Sequence, residues 1–180
     1  MPAERPAVFF DRDGTLIEEV DYCDHPSRVR AVPGATEALL KLSAAGFALV
    51  IVTNQSGIGR GYFTHDDYRG VHEEVIWQLK PARILGTYYD DSTPDKPSAR
   101  RKPSPAMLEE AARQHGLDLS RSWMVGDKTS DIECGKNAGL RTVLVETGHG
   151  RGHLDCGADA VVPDIGFAAD FILREVACPK

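Results

Sequence analysis

Two aspartates one residue apart, Asp11 and Asp13, end a short apolar run at Phe10 and lead into Gly14 and Thr15. Carboxylates this close repel each other, and each loses hydration at the end of a buried strand. A hard cation would offset the repulsion, and a bound phosphate could complete its shell. Three further polar clusters could complete such a site. Thr53 and Asn54 close an apolar run, Gly126-Asp127 closes another, and Lys102 stands just before a helical pattern. Asp11 and Asp127, with the oxygen-rich turn at Asp13, suit Mg2+, which takes oxygen ligands and keeps several waters. The Thr53 hydroxyl and the Lys102 ammonium suit phosphate oxygens. Taken singly, Gly-Asp is an ordinary turn and Lys102 an ordinary solvated lysine. Their conjunction points to phosphoryl chemistry.

For these groups to meet, the runs that carry them must be neighbouring strands. Short apolar runs at 7–10, 47–53, 82–89, 122–127, 141–146 and 160–163 alternate with helical patterns at 34–45, 64–79, 104–115, 130–138 and 164–176. That alternation predicts an α/β fold, a single doubly wound parallel sheet. Ligands of open parallel sheets bind outside the carboxyl ends of the strands, where all four polar clusters fall. Gly46 and Gly116 stand where helix C-terminal glycines belong, and Ser104-Pro105 reads as an N-cap followed by a first-turn proline. The segment 90–103 has proline, serine and charge without periodicity, and a loop of that length inside a compact fold is usually functional. Trp77 and Trp123 read as core, and His149 and His153 in Gly-His-Gly-Arg-Gly-His as a solvated loop.

The chain has 180 residues, 42% of them hydrophobic, and a formal net charge of -6. That length and content predict one domain over 1–180. The negative balance argues against nucleic acid or an anionic membrane as partner. Cys23, Cys134, Cys156 and Cys178 are scattered without a Cys-x-x-Cys pair and read as free thiols. The first residues lack a signal-peptide core and no apolar run approaches about 18 residues. A cytoplasmic monomer acting on a small phosphorylated metabolite is the expectation.

Asp-Arg-Asp-Gly-Thr-Leu from Asp11, Thr-Asn-Gln-Ser from Thr53, Arg-Lys-Pro from Arg101 and Gly-Asp-Lys-x-x-Asp from Gly126, in this order, resemble the four motifs of haloacid dehalogenase superfamily phosphatases. The resemblance spans Asp11 to Asp131. It implies a Rossmann-like fold in which Asp11 attacks phosphorus to form an aspartyl-phosphate, while Asp13 protonates the leaving alcohol and later activates water. Val52 to Thr64, Arg101 to Leu108 and Met124 to Ile132 are further similar to the D-glycero-D-manno-heptose 1,7-bisphosphate phosphatases and the related histidinol-phosphatases, which are capless. That closer resemblance implies release of the 7-phosphate of a heptose bisphosphate in surface-polysaccharide precursor synthesis. It also implies substrate contacts from Glu19, Asp21, Tyr22, Asn54, Gln55, Ser56, Arg101 and Lys128, with Arg101 reading the second phosphate or sugar hydroxyls through its planar fork.

Relatives carry a zinc loop whose second cysteine pair precedes Arg-Lys-Pro. Here Ser98 and Arg100 occupy that pair, and Asp90 and Ser92 the first. Serine and arginine cannot replace thiolates at a tetrahedral zinc site, so no zinc is expected, and the loop should be shaped by Pro94, Pro97 and its own hydrogen bonds. Histidinol phosphate stays open as substrate. A receiver domain also groups acids, a threonine and a lysine on a doubly wound sheet, but places its acceptor aspartate on a later strand than its acid pair.

Overall fold

A computed structural model describes residues 4–177. Six strands, β1 (Ala7–Phe10), β2 (Ala48–Asn54), β3 (Gly86–Asp90), β4 (Trp123–Gly126), β5 (Arg141–Val145) and β6 (Ala160–Val162), form one sheet in the order β3-β2-β1-β4-β5-β6. Every neighbouring pair is parallel. The chain winds outward through β2 and β3, crosses back over β1, and winds the other way through β4, β5 and β6. The reversal between β1 and β4 opens a crevice at their carboxyl ends.

Helices α1 (Ala35–Ala44), α2 (Ser56–Gly59), α3 (His65–Gln78), α4 (Ala106–His115), α5 (Thr129–Asn137) and α6 (Ile165–Ala177) cover both faces. The strand period of two sorts the core. Val8 and Phe10 join Leu39 of α1, Val71 of α3 and Ile172 of α6 on one side, while Ala7 and Phe9 join Met107 and Leu108 of α4 on the other. All of β1 is buried, so its two carboxylates emerge from a strand with no solvated face.

The predicted elements all form, with shifted ends. The apolar run 82–89 yields a strand only over Gly86–Asp90, because Ala82 to Leu85 lead into the sheet as irregular chain. Helix α4 starts at Ala106 with Pro105 at the cap position, although the Ser104 hydroxyl does accept the Ala106 N–H at 3.3 Å. The single turn α2 has no periodicity and was not expected. Trp77 corrects the core prediction: it is 64% exposed, because Tyr68, Val71 and Val75 turn the opposite side of α3 inward. Trp123 is buried as expected. Cys23, Cys134 and Cys156 are free thiols, and Cys178 lies outside the described residues. Among the described residues no helix is long and apolar enough to cross a membrane.

Candidate active site

The site has a buried floor at the β1/β4 crevice. The Asp11 N–H donates to the Val125 carbonyl at 2.9 Å, carrying the β1–β4 ladder one residue past β1 and fixing the Asp11 backbone. Its Oδ1 accepts the Lys102 ammonium at 2.8 Å. The same ammonium donates to the Val52 carbonyl at 2.9 Å and pairs with Asp131 Oδ1 at 2.6 Å, so all three of its protons are engaged. Lys102 is held from behind by Asn54, whose carboxamide accepts the Lys102 N–H at 3.1 Å and donates to its carbonyl at 3.2 Å.

Asp131 enters from the first turn of α5, where its other oxygen accepts the Lys128 N–H at 3.0 Å. A Cβ at Gly126 would stand 2.4 Å from the Asp131 Cβ, so glycine is what lets β4 end this close to the carboxylate. Asp127 is gripped from both sides. Gly14 and Gly148 both take left-handed backbone, at φ of +82° and +57°, and a Cβ on either would lie 2.3 Å from Asp127 Oδ2. That oxygen accepts the His149 N–H at 2.8 Å, while Oδ1 is buried without a hydrogen-bond partner.

Carboxylate oxygens of Asp11, Asp127 and Asp131 lie within 4.8 Å of one another. Burial pushes the Asp11 carboxyl up to about 6 against the pull of Lys102, and Asp131 adds to the rise. Burial, then the charges of Asp11 and Asp131, pushes Asp127 up to about 8. Burial works against the Lys102 ammonium, yet Asp11 and Asp131 hold it well above the usual lysine range. Three buried acids set against Lys102 in contact and Lys128 at longer range leave negative charge uncompensated, and an all-oxygen group with an unpartnered oxygen among them fits a hard divalent cation.

Asp131 was not among the expected ion ligands, although the second aspartate of Gly-Asp-Lys-x-x-Asp carried the signal. Asp13 was expected there, and its carboxylate is not in the group. It is engaged by Arg12, whose Nε and Nη2 donate to its two oxygens at 2.9 and 3.0 Å, and by Gln55 Nε2 at 2.8 Å. Burial would push this carboxyl up, but the Arg12 ion pair and the hydrogen bonds from Arg12 and Gln55 hold it below the usual range. Arg12 is itself fully buried, over the Tyr68 ring at 5.5 Å from the centroid and bonded to Gln55 Oε1 at 3.1 Å. Gln55 also donates to the Thr53 hydroxyl at 2.8 Å. Gln55 and Asn54 thus spend most of their carboxamide capacity on the catalytic frame.

Above the floor opens a cleft of about 200 Å3. Asp13, Glu19, Asp21, Tyr22, Ser56 and Lys128 line it, with Asn54 and Gln55 at its base. Arg101 is not among the lining residues, and its Nη1 donates to the Ser92 carbonyl at 2.6 Å. Tyr22 carries the one positive φ among described non-glycine residues, +47°. Arg28 donates to the Tyr22 and Asp21 carbonyls at 3.3 and 3.2 Å, bracing this backbone. The Tyr22 ring meets Tyr62 edge-on, centroids 4.7 Å apart. His149, expected in a solvated loop, also lines the cleft. Burial works against the Lys128 charge, but Asp11, Asp127, Glu19 and Asp131 hold it above the usual range.

The 90–103 segment is organised on Asp90, buried at the end of β3. One of its oxygens accepts the Ser92 N–H at 3.0 Å and the Ser92 hydroxyl, and the other accepts the Ser98 hydroxyl. The Arg100 N–H donates to Ser98 Oγ at 3.0 Å, and its guanidinium pairs with Glu110. The positions expected to lack zinc ligands are therefore joined by a carboxylate and two hydroxyls.

Comparison with known proteins extends these observations. A family model described as HAD-hydrolase-like matches residues 99–168. The chain is 35% identical to a D-glycero-D-manno-heptose-1,7-bisphosphate 7-phosphatase of Thermosynechococcus vestitus, over 96% of this chain and 98% of that one. It is also 35% identical to a D-glycero-beta-D-manno-heptose-1,7-bisphosphate 7-phosphatase of Escherichia coli strain K12, over 96% and 90%. A crystal structure of the D,D-heptose 1,7-bisphosphate phosphatase of B. bronchiseptica with magnesium and phosphate is similar at a TM-score of 0.87 and 30% identity, covering 94% of this chain and 99% of that one.

Proposed function

Because this chain belongs to the D-glycero-D-manno-heptose-1,7-bisphosphate 7-phosphatase family of haloacid dehalogenase-like hydrolases, we propose that it removes the 7-phosphate from D-glycero-D-manno-heptose 1,7-bisphosphate. The observation that carries the proposal is the convergence of Asp11, Asp127 and Asp131 on one buried point with Lys102 between two of them.

Asp11 is the nucleophile. Its carboxylate oxygen bonds to phosphorus as the bond from phosphorus to the sugar oxygen breaks, and Asp13 gives that oxygen a proton. Water then attacks the phosphorus of the aspartyl-phosphate. Asp13 takes the water proton, the bond to Asp11 breaks, and inorganic phosphate leaves. Asp13 must therefore be protonated first and ionised second. Arg12 and Gln55 hold it in the form the second step needs. The negative phosphate entering beside it raises its proton affinity for the first. Lys102 and the Thr53 hydroxyl face the phosphoryl oxygens, and the ammonium shifts its protons from Asp11 to the developing charge. Mg2+ held by Asp11, Asp127 and Asp131 would supply Lewis-acid stabilisation of the phosphoryl oxygens and offset the three carboxylates.

Glu19, Asp21, Tyr22, Ser56, Arg101 and Lys128 bind the sugar and its second phosphate in this reading. The enzyme works as a cytoplasmic monomer in surface-polysaccharide precursor synthesis, without a nucleic-acid or membrane partner. It holds no zinc, since Asp90, Ser92 and Ser98 already satisfy one another.

Purified protein with magnesium releases phosphate from the heptose bisphosphate, at a higher kcat/KM than from histidinol phosphate, and a chelator stops it. Asp11→Asn lowers turnover by at least about 10^4-fold. Turnover surviving in that variant overturns the mechanism, and a preference for histidinol phosphate overturns the substrate.

A further inference from the structure

The loop after β5 brings to the cleft a side chain that the reaction steps leave unused. Its backbone is fixed at three successive residues. Thr147 Oγ1 donates to the Gly14 carbonyl at 2.7 Å, Gly148 is left-handed, and the His149 N–H donates to Asp127 Oδ2 at 2.8 Å. With the main chain so placed, the His149 ring puts Nε2 3.4 Å from Glu19 Oε2, and Lys128 Nζ stands 3.6 Å from the same oxygen. That oxygen is buried and makes no hydrogen bond. Glu19, Lys128 and His149 line the same cleft.

A carboxylate enclosed by two nitrogen donors keeps one rotamer, and a carboxylate is a strong acceptor for the hydroxyls of a sugar. Left free, Glu19 would lose its rotamer freedom each time substrate bound. We infer that His149 is a positioning residue: together with Lys128 it fixes the Glu19 carboxylate in the cleft wall, where it accepts hydrogen bonds from hydroxyls of a polyhydroxylated phosphomonoester. A loop outside the four motifs thereby sets substrate affinity. The inference rests on reading the substrate as a sugar phosphate.

Steady-state kinetics on the heptose bisphosphate test it, for wild type, His149→Ala, His149→Gln, Glu19→Gln and the double variant His149→Ala/Glu19→Gln, each titrated with magnesium. His149→Ala raises KM about tenfold with kcat within about twofold. Half-activation by magnesium stays within about twofold, because the main-chain bond to Asp127 survives the substitution. Glutamine, which keeps a donor, restores KM to within about threefold of wild type. With Glu19→Gln already present, His149→Ala adds less than about twofold, the coupling expected of two groups that act through each other. Multiplying effects in the double variant, or KM, kcat and magnesium activation failing together, overturn the inference. If wild type does not cleave the heptose bisphosphate, the functional reading fails separately. The same cycle is then run on the phosphomonoester it cleaves best: coupling on a polyhydroxylated one supports the inference, and either absent coupling or a best substrate without hydroxyls overturns it.

Discussion

The floor of the site and its mouth are built by different physics. Asp11, Lys102, Asp127 and Asp131 are all buried, held by strand ends, a helix first turn and close-packed glycines. Glu19, Tyr22, Lys128 and His149 are half-buried or exposed, on loops fixed by side-chain bonds to main-chain carbonyls and by loose ion pairs. Low dielectric makes every floor charge expensive and strongly coupled, whereas the wetter mouth allows changes at modest cost. Floor variants should therefore strike kcat and metal activation, and mouth variants KM.

Asp131→Asn is the strongest test of that division after loss of the nucleophile. It removes one charge from the ion group and one acceptor from Lys102, and kcat should fall about 10^2-fold while half-activation by magnesium moves up about tenfold. A change in KM alone would place Asp131 with the mouth. Gly148→Ala comes next. Its Cβ would meet Asp127 Oδ2 at 2.3 Å in a left-handed residue, so thermal unfolding should show a loss of about 1–3 kcal/mol, with weaker magnesium activation.

The floor also has its own pH signature. Asp11 and Asp127 are raised to about 6 and about 8 from 3.8, so without metal these two carboxyls bind more protons folded than unfolded between about pH 4 and 8, opposed below about pH 6.5 by His72, which burial lowers to about 4. Stability of the metal-free protein should fall as pH rises from about 6.5 to 8, where Asp127 acts unopposed, and saturating magnesium should flatten the fall in urea titrations. A rise with pH would show that the carboxylates are otherwise compensated. Smallest is Arg28→Ala at the mouth. Releasing the Tyr22 backbone from its strained φ should raise KM about threefold with kcat within about twofold. An equal fall in kcat would join mouth and floor.

Legibility in the sequence follows the same division. Continuous apolar runs alternating with helical patterns, together with the four motifs, pointed to a doubly wound parallel sheet and most of the floor, since buried parallel strands must be apolar and polar residues at their ends must serve a purpose. Asp131 stands within the fourth motif, but its place beside the ion depends on which residue of the first helical turn faces the strand end, and that is set by packing at Gly126. The engagement of the Asp13 carboxylate by Arg12, the residue between the two aspartates, was not legible from proximity in sequence. His149 is exposed, as a solvated loop predicts, but its place over the cleft depends on the tertiary contact of Gly148 with Gly14, which a glycine-rich loop without a period does not announce. Trp77 shows the converse error, in which residue type outweighed helix phase.

The double amide contact between Asn54 and the main chain of Lys102 ties the ammonium to the end of β2 as well as to the loop that precedes it. Substitutions between Asp91 and Ala99, none of which lines the cleft, should therefore leave the charge that meets phosphorus in place.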